Sequence, residues 1–225
     1  MPDMSELLPL FPVDSVLFPG QPRALCAFGK RHQGLVRDLM NGPLPRSIAV
    51  VAIHEGSERD PGGTQTLHEI GCTATLRTVR AAADDQFVLV TAGAQRFQLI
   101  SVDQTRSYPR ARVAVLYEDT GGQAAAAHMA AAVQHAYRAY VHATVGPAAT
   151  ALNLPDLPGD PVELSYNVAD LMVLGRPARQ ALLAEPDALS RLTAEHTLLT
   201  RETALARTLG STPAPDYRHS HPSPN

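Results

Sequence analysis

The chain lacks tryptophan, has two cysteines and a single lysine among its 19 basic residues, and contains no long apolar run. Without about 18 consecutive apolar residues, we expect no membrane-spanning helix. Residues 1–6 are acidic and not basic, and no long apolar segment follows them, which predicts that no secretion signal is present. Cys26 and Cys72 are too few for a disulfide scaffold. Free thiols in the cytoplasm are the favoured interpretation, and one bridge between them is the alternative.

The charge balance argues against a general nucleic-acid-binding protein. The formal net charge is -3 at pH 7, whereas such proteins need a concentrated positive field to displace the counterions of the phosphates. Apolar residues make up 44% of the chain and charged residues 18%. This composition is typical of a globular protein with a substantial core.

The motifs of the common catalytic sites are also missing. Lys30 lies in a stretch, 29–32, that lacks the upstream glycine and the hydroxyl of a phosphate-binding loop. There is no Gly-x-Ser-x-Gly nucleophile elbow, and both cysteines have apolar, strand-like neighbours that predict buried, unreactive thiols. His128, His135 and His142 repeat about 10.5 Å apart on a helix, too far to share one metal ion. We therefore expect no enzyme activity, no cofactor and no metal site.

The first half of the chain is predicted to form strands. Apolar or alternating runs occupy 48–53, 72–79, 87–91, 95–102 and 111–117. Turn signals such as Ser107-Tyr108-Pro109 separate them, and one helix with a one-sided apolar stripe is expected over 30–40. Several short strands with turns between them favour a small barrel or sandwich.

The second half is predicted to be helical. An alanine-rich stretch covers 123–143, and helical periodicity returns at 176–183 and 187–209. Asp160 followed by Pro161 has the form of a helix start, and Gly175 is expected to end that helix. The fold class is therefore α+β, with a β-rich barrel part at 1–119, a helical part at 120–209 and a disordered tail at 210–225.

The opening segment allows two interpretations. Residues 7–20 are rich in leucine, phenylalanine and proline, and prolines discourage edge-to-edge pairing of strands. The segment is either an edge strand and a rigid turn whose aromatic side chains lie in the core, or part of an apolar groove that accepts another chain. The two interpretations are compatible with each other.

The same segment carries a family resemblance. The stretches Leu-Pro-Leu-Phe-Pro at 8–12 and Val-Leu-Phe-Pro-Gly at 16–20 resemble the opening of the N-terminal substrate-binding (LON) domain of Lon proteases. Ile-Gly-Cys-Thr-Ala at 70–74 and Gly-Ala-Gln-Arg-Phe at 93–97 resemble two further strands of that domain. The similarity extends over about 7–209. After Phe28, glycine, lysine and histidine stand where the family commonly has an acid, a proline and a tyrosine.

The resemblance implies a small PUA-like pseudo-β-barrel followed by a helical subdomain. It also implies non-catalytic binding of unfolded or partly folded protein segments, and it makes Phe11, Phe18, Phe28, Arg31 and Arg96 the candidate binding residues. Lon proteases continue into ATPase and Ser–Lys protease modules that are absent from this sequence. We therefore expect a stand-alone recognition protein in the cytoplasm.

The binding mode follows from the same resemblance. Apolar side chains of the bound segment are expected to be buried in a cleft between the barrel and the helices, with strand addition at a sheet edge as a second element. The alternatives are an accessory subunit with a protease or ATPase partner, an RNA-binding PUA-like module, and a regulatory protein with one folded partner. The oligomeric state and the ligand are left open.

Overall fold

The computed structural model describes residues 7–42, 44–56, 65–82, 86–146 and 156–209, and only the backbone of Lys30, Arg31 and Leu209. The strands are β1 Leu7–Val13, β2 Pro22–Ala27, β3 Ser47–Glu55, β4 Thr66–Leu67, β5 Ile70–Ala81, β6 Phe87–Asp103 and β7 Arg110–Val115. The helices are α1 Gly29–Asn41, α2 Gln123–Val145, α3 Pro161–Leu171, α4 Arg176–Ala184 and α5 Ala188–Leu209. Strands thus precede helices, apart from α1, and the predicted α+β class is confirmed.

Five strands form a closed ring in the order β1, β7, β6, β5 and β3. The β1–β3 pair is parallel, and the other pairs of the ring are antiparallel. β2 pairs with β6, and β4 pairs with β3. Six consecutive residues of β3 are buried, from Ile48 to Ile53, because this strand has the barrel core on one face and further packed side chains on the other.

The expectation that the opening segment is an edge strand is wrong. β1 has a partner on each side: Leu10 lies opposite Ala49 of β3, and Leu8 lies opposite Ala111 of β7. The N–H of Leu10 donates to the carbonyl of Pro109 at 2.9 Å. A proline removes a backbone donor only at its own position, so the residues between the prolines still make ladder hydrogen bonds.

A tight turn holds Phe18 in the interior. Pro19 and Gly20 occupy its two central positions, Gly20 has a φ of 78°, and the N–H of Gln21 donates to the carbonyl of Phe18 at 3.3 Å. These are the features of a type II turn. The carbonyl of Phe18 faces Gly93 of β6, where a Cβ atom would lie 2.1 Å from the oxygen. Glycine at position 93 is therefore required for the turn to pack on the barrel.

The helices begin and end largely where the sequence predicts. The carboxylate of Asp160 accepts hydrogen bonds from the N–H groups of Val162 and Glu163 at 3.0 and 2.9 Å, which confirms the predicted start of α3. The prediction that Gly175 ends α3 is wrong. The chain becomes extended already at Met172, with ψ of 139°, and Gly175 instead precedes α4.

The structure differs from the sequence prediction at β6. The two strands predicted at 87–91 and 95–102 form one long strand, because irregular register in its pairing with β5 lets it bend without a break. The tail predicted at 210–225 lies outside the described residues, and the division at residue 119 stays a prediction. No helix in the described parts of the chain is both long and apolar enough to cross a membrane.

Candidate functional site

The predicted aromatic residues lie in different environments. Phe11 and Phe18 are 1% and 0% exposed and belong to the core, whereas Phe28, just before α1, is 52% exposed. Phe18 packs against Tyr166 of α3, with ring centroids 6.3 Å apart, and under the guanidinium of Arg179 at 5.0 Å. In this conformation only Phe28 of the three could touch a ligand. The structure thus favours the core interpretation for the other two.

The two predicted arginines do not form one site. The side chain of Arg31 lies outside the described residues. Arg96 is 2% exposed, and its Nε donates to a carboxylate oxygen of Glu118 at 2.8 Å. Its terminal N–H groups donate to the other oxygen of Glu118 at 3.4 Å and to backbone carbonyls at the end of α4 and just beyond, those of Leu183, Glu185 and Pro186. Arg96 therefore joins the barrel to the helical part and is not available to a ligand.

The junction between barrel and helices is filled. Arg191 of α5 is fully buried over the ring of Tyr166, with Cζ 3.9 Å from the ring centroid, and donates to the hydroxyl of Ser165 at 2.8 Å. Apolar side chains complete the packing: Val16, Phe18, Ala52, Ala169, Leu182 and Leu183. The open cleft that the resemblance suggested is therefore not observed among the described residues of this junction.

One buried carboxyl group at the junction is that of Glu195. Both carboxyl oxygens of Glu195 are buried, and neither has a hydrogen-bond partner among the described residues. Burial raises the pKa of this carboxyl well above its usual range, although Arg191 acts in the opposite direction. The ionised form of this carboxyl therefore destabilises the core.

A cavity of about 210 Å³ lies on the other side of the barrel, where β1, β3 and β7 begin and α1 ends. We call it the β1–α1 cavity. Its apolar wall consists of Leu7, Leu8 and Pro9 from β1, Leu39 from α1 and Pro45 from the following loop. Two exposed apolar residues, Met40 and Leu44, are chain neighbours of this wall. The cavity can therefore bury apolar side chains of a ligand.

The remaining wall of the cavity is polar. Asp38 of α1 accepts a hydrogen bond from the hydroxyl of Tyr108 at 2.6 Å and another from Arg106 at 3.0 Å. The hydrogen bond from Tyr108, together with the charge of Arg106, lowers the pKa of Asp38. Burial, and then the hydrogen bond to Asp38, raises the pKa of Tyr108. Asp38 is therefore ionised and Tyr108 neutral at pH 7.

Two more arginines line the same wall. Arg110 of β7 donates to Asp103 at 2.5 Å, and Arg46 donates to the backbone carbonyl of Met40 at 2.8 Å. Hydrogen bonds from Thr105, with a further one from Arg110, lower the pKa of Asp103 to about 2. The Nε–H groups of Arg46 and Arg110 are both buried, and neither has an acceptor among the described residues. The cavity thus combines an apolar wall with guanidinium groups.

Sequence reasoning missed this site. Its residues come from four separate segments, and in the sequence Ser107-Tyr108-Pro109 indicates only a turn. The one available signal was the concentration of Arg106 and Arg110 around that turn. Because a turn arginine is ordinarily a solvated charge, the pattern does not identify a cavity without the pairing of β1 and β7.

The cysteine expectations are met only in part. Both thiols are free, and Cys72 is buried, which raises its pKa to about 12 and makes it a poor nucleophile. Cys26 is exposed, so the prediction of burial is wrong for this residue. It lies on β2, a strand that pairs on one side with β6 and keeps its outer face in solvent. In the described parts of the chain, no three metal-binding side chains come together.

Solved structures share this architecture. The Lon N-terminal domain protein from Xanthomonas campestris superposes with a TM-score of 0.59 at 22% identity, over 87% of this chain and 98% of that one. The N-terminal domain of Lon protease from the Mycobacterium avium complex gives 0.63 at 15% identity, over 88% and 98%. At these identities the similarity shows the fold.

The sequence comparisons point to the same family. Lon protease 2 of Myxococcus xanthus is 28% identical over 122 residues, which are 54% of this chain and 14% of that protein. The chain thus spans only a small part of that relative's length. The family model of the ATP-dependent protease La (LON) substrate-binding domain matches residues 7–201, and on that match the chain belongs to the LON substrate-binding domain family.

Proposed function

We propose that this chain is a non-catalytic recognition module that binds unfolded or partly folded polypeptide segments in the β1–α1 cavity. The observation that carries the proposal is the cavity itself, an accessible space of about 210 Å³ with an apolar wall on a rigid barrel. Membership in a family described as substrate-binding supports the ligand class. The barrel–helix junction is filled with packed side chains, which supports placing the ligand in the cavity instead.

The expected affinity is weak. Burial of a leucine-sized side chain contributes about 1.5–3 kcal/mol, and ordering of a flexible segment offsets part of this. One side chain buried in the cavity, with further contacts at its rim, therefore gives a dissociation constant on the order of millimolar. Such a complex exchanges quickly, which suits a module that samples many segments.

Catalysis, in this proposal, belongs to another module. The buried Cys72 is a poor nucleophile, and the arginines of the cavity are held by Asp38, Asp103 and a carbonyl. We infer that the chain binds without cleaving, in the cytoplasm, and that a partner with ATPase or protease modules acts on the bound segment. In this proposal the chain recognises the segment, and by doing so it serves as the accessory subunit of the partner.

Fluorescence anisotropy with fluorescein-labelled casein tests the proposal. We expect saturable binding without ATP, and intact casein on a denaturing gel after prolonged incubation. The double substitution Met40→Asp and Leu44→Asp adds charge beside the apolar wall and should weaken binding about fivefold or more. Val173→Asp is the matched control, because Val173 is an exposed apolar residue of the helical part.

Three results would contradict the proposal. The first is the absence of saturable casein binding, and the second is equal weakening by Val173→Asp. The third is release of casein peptides by the purified chain, with or without ATP, which would make it an enzyme. Salt-sensitive binding of a structured RNA that displaces casein would favour the PUA-like alternative instead.

A further inference from the structure

We propose that the β1–α1 cavity recognises the C-terminal residue of a polypeptide: its arginines bind the free carboxylate, and its apolar wall binds an aliphatic terminal side chain. This inference rests on the proposed function and narrows it to one kind of segment, a chain end. It also assigns a role to Arg46, Arg106 and Arg110, which the resemblance to the family did not single out.

The charge balance of the cavity favours a single negative charge. Three guanidiniums line it, those of Arg46, Arg106 and Arg110. Two carboxylates form ion pairs with them, Asp38 with Arg106 and Asp103 with Arg110. Among the described residues, one positive charge is therefore left without a carboxylate, that of Arg46, whose hydrogen bond goes to a backbone carbonyl. A monovalent carboxylate neutralises it.

The shape of the guanidinium group points the same way. Arg46, Arg106 and Arg110 all line the cavity. A carboxylate has two oxygens and about four acceptor positions, and the planar guanidinium matches it in bidentate geometry. A carboxylate in the cavity can therefore accept hydrogen bonds from the terminal N–H groups of these arginines.

The size of the cavity matches one residue better than a strand. A cavity of about 150 Å³ is known to accommodate benzene, so about 210 Å³ accommodates a leucine-sized side chain with a carboxylate beside it. An internal segment continues on both sides of the bound residue, so the chain has to pass into and out of the cavity. Its buried peptide N–H and C=O groups would also need hydrogen-bond partners there. A chain end brings the aliphatic group and the charge on the same residue.

A phosphate group is a poorer match for the same site. Asp38 projects into the arginine cluster, and its hydrogen bonds to Tyr108 and Arg106 keep it ionised. It repels a dianion more strongly than a monoanion. Leu7, Leu8 and Leu39 offer nothing to the remaining phosphate oxygens. We therefore place a peptide carboxylate in the cavity, and RNA or a phosphopeptide becomes an outcome of the test.

Two peptides that differ in one group test the inference. Both are fluorescein-labelled hexapeptides of glycine and serine that end in valine and leucine, one with a free C-terminal carboxylate and one with a C-terminal amide. Binding to the full chain is followed by fluorescence anisotropy. Because one charge-assisted hydrogen bond contributes about 1.5–3 kcal/mol, we expect the free acid to bind about tenfold more tightly or better.

Substitutions assign this difference to the cavity. Arg106→Gln and Arg46→Gln should each weaken the free acid about fivefold and leave the amide unchanged. Arg106 is exposed, and its variant is expected to fold even if Arg46→Gln does not. Arg80→Gln removes the same charge from an exposed position on β5 and should change neither affinity. Melting temperatures of all variants show that they are folded.

Four outcomes would overturn the inference. The first is equal affinity for acid and amide, and the second is equal weakening by Arg80→Gln, which indicates a general charge effect. The third is equally tight binding of an amidated peptide with an internal glutamate, which places a side-chain carboxylate in the site. The fourth is displacement of the free acid by a short RNA or a phosphopeptide at lower concentration. If casein still binds in these cases, the proposed function survives and only its restriction to chain ends is lost.

Discussion

The buried carboxyl group of Glu195 has no hydrogen-bond partner in the described parts of the chain, and it makes stability depend on pH. Its folded-state pKa lies above the unfolded value of about 4.3. The folded chain therefore binds the proton more tightly, and the resulting stability is present below about pH 4 and is lost as the pH rises through the folded pKa. At neutral pH the residue destabilises the fold.

Glu195→Gln removes this pH dependence. The amide resembles the protonated carboxyl, so we expect the variant to be more stable than the parent by about 1–3 kcal/mol at pH 8, with a smaller gain at pH 5. Urea denaturation at both pH values measures the difference. Glu163→Gln, an exposed substitution on α3, reports the effect of removing a surface charge. A parent and an E195Q chain of equal stability at pH 8 would show that Glu195 is solvated or paired in solution.

Substitution of the candidate phenylalanines should affect stability in proportion to their burial. Phe18→Ala empties a fully buried site and should cost about 3–5 kcal/mol of folding free energy. Phe28→Ala, at an exposed position, should change it by no more than about 0.5 kcal/mol. Chemical denaturation measures both. The casein assay then tests whether Phe28 contributes to binding, since the Phe28→Ala chain stays folded and a loss of affinity cannot be attributed to unfolding.

Among the elements, α3 depends on its first residue. The carboxylate of Asp160 satisfies two N–H groups that have no partner inside the helix. Asp160→Ala should therefore lower the free energy of unfolding by about 1 kcal/mol. Thermal denaturation measures the loss, with Thr193→Ala on the exposed face of α5 as the control. Equal effects of the two substitutions would show that the cap does not stabilise the folded chain.

The elements themselves could largely be predicted from sequence, because their signals are local. The cap at Asp160, the alanine-rich stretch of α2 and the apolar run of β3 are each read within one segment. The placement of β1 could not be read in this way. Its partners begin at Ser47 and Arg110, and nothing in residues 7–13 identifies which strands they are.

The site was less predictable than the fold for the same reason. The β1–α1 cavity combines β1, α1, the loop before β3 and the turn before β7. Proline and phenylalanine in the opening segment suggested a groove, but apolar side chains that could bind a ligand and apolar side chains that fill a core have the same sequence pattern. Burial of Phe11 and of Phe18 decides between them only once the fold is known.

At the scale of the whole molecule, the barrel and the helices are joined by buried polar groups. Arg96 from β6 contacts Glu118 and three carbonyls near the end of α4, and Arg191 lies 3.7 Å from the other oxygen of Glu118. Removing one member of such a network leaves the others buried without partners. We therefore expect the two parts to unfold together, in one transition.

Arg96→Met tests this coupling. It should lower the free energy of unfolding by about 3–5 kcal/mol, because Glu118 and the carbonyls lose their donor. Differential scanning calorimetry measures the loss and the number of transitions. Arg80→Met, on an exposed part of β5, is the matched control. Two resolved transitions in the parent chain would mean that the barrel and the helices are energetically independent.

The closure of the barrel by its first strand constrains how the chain is made. Leu7 and Leu8 are translated about a hundred residues before their partners in the sheet, Arg112 and Ala111. Until then the backbone of residues 7–9 lacks its β7 partner. A nascent chain that stalls before residue 110 would expose the apolar residues 7–9 to chaperones and to other nascent chains.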